Sequence, residues 1–276
     1  MKIRSDLAQA TVKLSKALPA GLLLFLLPGQ IPLFGQANVE TIIQRSIEAL
    51  KRDWATDPQF DYTERDQEKG GSKINEVTML FGSPYQRLIT VNGRPLSASE
   101  KAEEQKKFEE AVKERRNETP EKRSERIAKF EAERKRDHTM MEQLTTAFDF
   151  RLLGNHKLKG HRVYVLGAKP RKDYHPPNRD SQVLTGMEGK LWIDRDSYQW
   201  VRVEAYVMHP VRIEGIVAEV EPGTEFELGK MPVSNDVWLT AHFSMRSYAK
   251  VMFFLPHRTQ EDITYSNYHK SAGPPQ

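Results

Sequence analysis

The C-terminal half of this chain alternates. Val201, Val203, Ala205 and Val207 fall on one parity, and Arg202 and Glu204 fall on the other. Leu191 and Ile193 oppose Lys190 and Asp194, while Val237, Leu239, Ala241, Phe243 and Met245 oppose Thr240, His242, Ser244 and Arg246. Successive strand residues point to opposite faces, so this pattern dictates an antiparallel sheet with one apolar and one wet face. Strand-like runs lie at 148–153, 161–168, 187–194, 199–208, 211–220, 224–229, 236–249 and 251–265. Turn signals at Gly154-Asn155, residues 194–197 and residues 221–223 separate some of them. Three more runs, 60–68, 73–81 and 85–91, lie around Gly70-Gly71, Gly82-Ser83-Pro84 and Asn92-Gly93. A sheet of about eleven strands should curl. Its apolar face needs a cover, and helices are the candidates. The predicted class is α+β.

Two helical regions are legible. In residues 38–54, Val39, Ile42, Ile43, Ile47 and Leu50 recur at three- and four-residue steps, and Asp57-Pro58 ends the run. Residues 97–147 contain no glycine and carry 13 basic and 13 acidic residues up to Glu142. Ser97-Ala98-Ser99-Glu100 fits a capping box, and Thr119-Pro120 fits an N-cap followed by proline. Helices are expected at 98–117 and 120–147. Between 97 and 135 the large apolar residues are Phe108, Val112, Ile127 and Phe130, a stripe too thin for a buried helix. This hairpin reads as a solvated, salt-bridge-laced insertion. A lid or a partner-binding arm is the sharper alternative.

The N-terminus carries an export pattern. Lys2, Arg4, Lys13 and Lys16 precede the apolar run 18–27, and Gly35 and Ala37 supply small residues for cleavage. Ten helical residues span ~15 Å against a hydrocarbon core of roughly 30 Å, and Pro28, Gly29 and Pro32 interrupt any extension. Residues 1–37 are therefore expected to be a removed signal peptide, cleaved near Ala37. The formal charge of +4 falls to +1 without them, so a nucleic-acid partner loses its electrostatic basis.

The chain has no cysteine, which excludes disulfides, thiolate metal sites and lipidation at an N-terminal Cys. It lacks the phosphate-loop, nucleophile-elbow, zincin and dinucleotide motifs. His156 and His161 flank a turn without a nearby third ligand in sequence. Asp194 and Asp196 sit in a D-x-D-S turn, where aspartate caps its own backbone. No catalytic, metal or cofactor residue is assigned. The C-terminal aromatics, among them Trp192, Trp200, Trp238, Phe243 and Phe253, serve equally as packed core or as the wall of a site for an acyl chain.

Several short segments resemble the LolA/LolB/LppX superfamily of lipoprotein-sorting and lipid-carrying envelope proteins. They are Gly189-Lys190-Leu191-Trp192-Ile193-Asp194 with its turn, residues 201–204, residues 85–89, and Asn92-Gly93-Arg94-Pro95-Leu96. The order of signal, amphipathic helix, strands, inserted helices and long meander is similar too. The resemblance implies a strongly curved, incomplete β-barrel with helices closing its open side, here over residues 38–270 with the helical insertion at 97–147; the polar tail 271–276 is expected to be disordered. The resemblance also implies a periplasmic, non-enzymatic carrier for lipid or lipoprotein acyl chains, with at most peripheral membrane contact. The apolar parity residues Leu191, Ile193, Val201, Val203, Val237, Leu239, Phe243, Met245 and Phe253 would line its cavity. Superfamily members of the LolB and LppX type carry a lipidated cysteine, and this chain has none. Two alternatives remain: an envelope scaffold or sensor that docks a protein through the 97–147 hairpin, and an envelope hydrolase.

Overall fold

The structure, a computed structural model, describes residues 38–68, 70–213, 218–234, 236–251 and 255–273. The expected signal peptide, Phe253 and residues 274–276 lie outside the described residues.

Helix α1 (Val39–Thr56) starts at Asn38, whose side chain accepts the Glu40 N–H at 3.0 Å. Its buried positions, Ile42, Ile43, Ser46, Ala49 and Asp53, form one stripe. A meander follows: β1 (Phe60–Glu68), β2 (Gly71–Leu80), β3 (Ser83–Val91) and the short β4 (Arg94–Pro95). The β2–β3 and β3–β4 connections are two-residue turns with both φ values positive, Phe81-Gly82 at 49° and 89° and Asn92-Gly93 at 51° and 73°. Such turns match the right-handed twist of the flanking strands. Helices α2 (Ala98–Asn117) and α3 (Pro120–Ala147) form the charged hairpin, with the expected capping box at Ser97 and the Thr119 cap. The second meander comprises β5 (Phe148–Leu158), β6 (His161–Pro170), β7 (Met187–Asp194), β8 (Trp200–Val207), β9 (Val211–Ile213), β10 (Ala218–Val220), β11 (Glu225–Pro232), β12 (Trp238–Val251) and β13 (Leu255–Lys270).

All thirteen strands belong to one antiparallel sheet in the order β4-β3-β2-β1-β13-β12-β11-β8-β7-β6-β5, with the β9–β10 hairpin added to the far end of β12. The first meander joins the second where β1 pairs with β13. The sheet curves without closing, because β4 and β5 remain separate ends. The expected curled sheet with helical cover is the architecture found.

Several strand boundaries differ from the sequence reading; β11 and β13, for example, run on to Pro232 and Lys270 rather than to 229 and 265. The chain does not turn at Gly154-Asn155. It continues through a β-bulge at Leu153 and turns at Lys159-Gly160, whose φ values are 49° and 87°. Glycine within a strand pattern marks a bulge as readily as a turn. The run 211–220 is not one strand but the short hairpin β9–β10. The run expected at 161–168 extends two residues further, because Lys169 and Pro170 still pair in β6.

Bulges also correct the face assignments. Ile193 pairs with Trp200 and Trp192 pairs with Arg202, so Val201 is the extra residue. Trp200 and Val203 join the core beneath α1, whereas Val201 joins Val163, Val165 and Trp238 on the opposite face. In β12, Gly229 pairs with His242 and Lys230 with Thr240, which leaves Ala241 unpaired. Strict alternation therefore holds for Phe243 and Met245 but does not carry Leu239 onto the same face. A single extra residue exchanges the two faces of everything beyond it.

Candidate functional site

The helix-bearing face of the sheet is the candidate site. Ile42 and Ile43 of α1 pack into a cluster with Tyr164 and Leu166 of β6, Leu191 and Ile193 of β7, Trp200 and Val203 of β8, and Leu228 of β11. At its centre Ile193 is fully buried and Ile42 is 1% exposed. Burying each such side chain stabilises the fold by about 1.5–3 kcal/mol.

Around this packed centre the apolar surface continues, only half covered. Met141 and Leu144 of α3, Phe150 and Leu152 of β5, Phe226 of β11 and Phe243 of β12 are half-buried and touch the same cluster. Phe226 and Phe243 meet edge to face at 5.7 Å. Met245, opposite Phe226 in the ladder, is also half-buried. Ala147, Phe148, Leu184, Met187, Ala205 and Val207 form a neighbouring cluster, and Tyr174 from the loop after β6 donates its hydroxyl to Gln143 Oε1 at 2.9 Å.

The structure thus brings Leu191, Ile193, Val203 and Phe243 into one cluster, with Met245 along the same face. It does not gather Val201, Val237 or Leu239 with them. Val237 lies just before β12, where its carbonyl accepts the Val233 N–H at 2.9 Å, and Leu239 is buried opposite Met231. Phe150, Leu152 and Phe226 belong to the surface and were missed. The i, i+2 spacing of Phe226 with Leu228, and of Phe150 with Leu152, was the available signal. Nothing local tied either pair to α1.

A buried polar knot fixes the C-terminal end of α1 to the sheet. Asp53, 3% exposed, accepts from Lys230 Nζ, from Gln199 Nε2 at 3.0 Å and from the Trp238 backbone N–H at 3.0 Å. Burial pushes the Lys230 ammonium below the ordinary lysine range, while Asp53 opposes that shift. Asp57, one turn on, is pushed up by burial, with Arg134 and Lys230 opposing. Burial likewise raises the Tyr62, Tyr265 and Tyr268 hydroxyls, and the nearby Asp57 and Glu64 carboxylates add to the rise.

The charged hairpin is anchored. Arg115 donates to the Leu80 and Ser83 carbonyls at 2.9 and 3.0 Å and to the Pro84 carbonyl at 3.2 Å. Arg126 donates to Ser83 Oγ at 2.6 Å and to the Phe81 carbonyl at 3.0 Å. Gly82 leaves room for Ile127, whose Cδ1 would lie 2.9 Å from a Cβ there. Helix α2 buries no residue, as its thin apolar stripe implied.

The turn carboxylates act on their own backbone. Asp194 Oδ1 accepts the N–H groups of Asp196 and Ser197 at 3.0 and 2.8 Å and the Ser197 hydroxyl at 2.8 Å. His161 Nδ1 lies 3.4 Å from Asp194 Oδ2, but Ser197 addresses the carboxylate and not the imidazole. The nucleophile-to-base contact of a triad is therefore missing there. Asp196 pairs with Arg162 at 2.8 Å. No group of three or more metal-ligating side chains occurs among the described residues. Two open depressions lie away from the apolar face. One, of about 280 Å³, runs between α3 and residues 178–180; the other, of about 530 Å³, is bordered by His161, Asp194, Ser197 and Trp238.

No helix among the described residues is long and apolar enough to cross a membrane. No family model and no curated protein matches the chain. Solved structures do show likeness. A Vibrio parahaemolyticus outer-membrane lipoprotein-sorting protein domain is 11% identical, with 83% of this chain and 94% of that chain covered, at a TM-score of 0.31. A LolA superfamily protein from Nitrosomonas europaea is 12% identical, with 84% and 92% covered, also at 0.31. A DUF1329 family protein from Desulfovibrio piger is 10% identical, with 85% and 93% covered, again at 0.31. TM-scores this low carry no weight for ligand or activity, and the functional conclusion rests on the chain's own residues.

Proposed function

We propose that this is a non-catalytic, exported binding protein that seats an acyl chain on the helix-bearing face of its sheet. The observation that carries the proposal is the incomplete cover of that face. Helix α1 buries the centre over β6–β8 and β11, and Phe150, Phe226, Phe243, Leu144 and Met245 beside it are only half-buried. An acyl chain laid along this strip gains roughly 0.8 kcal/mol per buried CH₂. The curved antiparallel scaffold supplies one wall, and α1, pinned to the sheet at Asp53, stands beside the strip. Residues 1–37 would direct export and be removed, which leaves a chain without lipid anchor or cysteine in the periplasm.

Lipid extraction and mass spectrometry of the purified protein, with titration of a fluorescent fatty acid, test this. Co-purified acyl lipid or saturable uptake is expected. Phe226→Asp combined with Phe243→Asp should abolish uptake while circular dichroism keeps the strand signal. A lipid-free protein that takes up no fatty acid would sink the proposal.

A further inference from the structure

The two ends of the sheet are treated differently. At one end β3 is covered. It pairs with β4, Leu96 N–H donates to the Ile89 carbonyl at 3.3 Å, the Leu88 N–H reaches Glu104 Oε2 of α2 at 3.4 Å, and Arg87 bonds Gln105 of α2 at 3.0 Å. At the other end β5 is bare: among the described residues its one strand partner is β6. Edge strands are normally short or covered, because unpaired backbone groups invite another chain. Strand β5 is eleven residues long, contains no proline and exposes Leu153 at its bulge (43% exposed). The usual covering device is thus present at one edge and absent at the other.

We infer that β5 (Phe148–Leu158) is a docking edge for an extended, acidic segment of a partner protein, which adds to the sheet as a further strand. Two features define that partner. Phe150 and Leu152 are half-buried on the helix-bearing face, so apolar side chains of an added strand would extend the same layer on alternate positions. The exposed ionisable side chains of β5 and its turn are Arg151, His156, Lys157 and Lys159 against the single acid Asp149. Arg151 and Lys157 have no ion-pair partner among the described residues. Arg151 lies on the wet face and Lys157, beyond the bulge, on the helix-bearing face, so an incoming strand would answer Arg151 with acidic residues on its wet-face positions alongside 148–152 and Lys157 with one on the other parity alongside 154–158. The same positive charge repels a second copy of this chain at the same edge, which makes self-pairing the disfavoured occupant. The bulge at Leu153 interrupts the ladder and divides the edge into two regular stretches, 148–152 and 154–158. Phe150 is shared with the strip proposed to hold the acyl chain, but Arg151 and Lys157 lie outside that strip, so either assignment can fail alone.

The experiment uses the full chain and two short synthetic peptides, one alternating glutamate and valine and the other alternating lysine and valine. Fluorescence anisotropy reports binding, and amide hydrogen exchange reports where. The glutamate peptide should bind, the lysine peptide should not, and residues 148–158 should gain protection. Arg151→Glu should weaken glutamate-peptide binding up to about five-fold, the effect of losing the exposed charge pairing opposite the peptide's glutamates. The same variant should keep its fatty-acid uptake, which also shows that it is folded. Equal binding of both peptides, or protection elsewhere than β5, would overturn the inference. So would concentration-dependent protection of β5 without peptide, which would assign the edge to a second copy.

Discussion

Removing the Asp53 carboxylate should loosen α1 from the sheet. Asp53 and Lys230 are 177 residues apart in sequence, and their side chains are 5% and 8% exposed. Asp53 also accepts from Gln199 and from the Trp238 backbone. Asp53→Leu therefore strands one buried ammonium and the Trp238 N–H, and leaves Gln199 Nε2 with the Asp236 carbonyl alone. One-sided removal of a buried pair costs about 3–5 kcal/mol. With a urea dependence of ~2–3 kcal/mol per molar for a chain of this size, the midpoint should fall by roughly 1–2 M. Urea titration followed by tryptophan fluorescence measures it, since Trp238 is in the knot. The decisive comparison is the double variant Asp53→Leu with Lys230→Met. Replacing both charges by apolar groups is often neutral or stabilising, so the double variant should recover most of the loss. A single variant within about 1 kcal/mol of the parent, or a double variant no better than the single, would refute the placement of this pair.

Asp57→Asn tests the neighbouring carboxyl. Its folded pKa is raised by burial, so the ionised form costs stability at neutral pH, and that cost fades as pH falls toward the ordinary value of 3.8. The variant should be more stable than the parent at neutral pH and indistinguishable below about 3.8 in pH-dependent urea titrations. At the start of α2, the Arg94 guanidinium and the Ser97 hydrogen bonds hold Glu100 down to about 2. The stabilisation is present above the ordinary 4.5 and is lost as pH falls through about 2. Acid fraying of the first turn of α2, followed by amide NMR shifts, should disappear in Glu100→Gln. Ser97→Ala should cost roughly 1 kcal/mol through the lost cap. In β7, a Cβ on residue 189 would lie 2.2 Å from the Glu204 carbonyl oxygen. Gly189→Ala should therefore destabilise the fold by ~1–3 kcal/mol or more in thermal unfolding.

Much of the framework was legible because it is local. Helices α2 and α3 begin and end where the caps at Ser97 and Thr119 and the residues after them indicate. The strands β7 and β8 follow the period-two runs, and Leu191, Ile193 and Val203 share a face as alternation requires. The half-covered strip was legible only in part. Phe243 and Met245 were marked by parity, whereas Phe150 and Phe226 sit in runs whose neighbours gave no hint of α1 above them. Val201 went to the other face because a bulge has no mark in the alternation itself. The Gly154 signal was present and ambiguous, and the ladder with β6 resolved it as a bulge.

The sequence by itself determined periodicity, caps and turns, since each depends on residues within a few positions of one another. It also set the charge balance, and with it the solvated character of the 97–147 hairpin. Only the tertiary structure decided which strands join the two meanders, β1 finding β13, and that Asp53 meets Lys230. It also decided that α2 shields one edge while β5 stays open. These are long-range pairings, chosen among many alternatives of similar local propensity by the fit of whole surfaces. That is why the apolar wall was visible in the sequence, and what covers it and what it leaves uncovered were not.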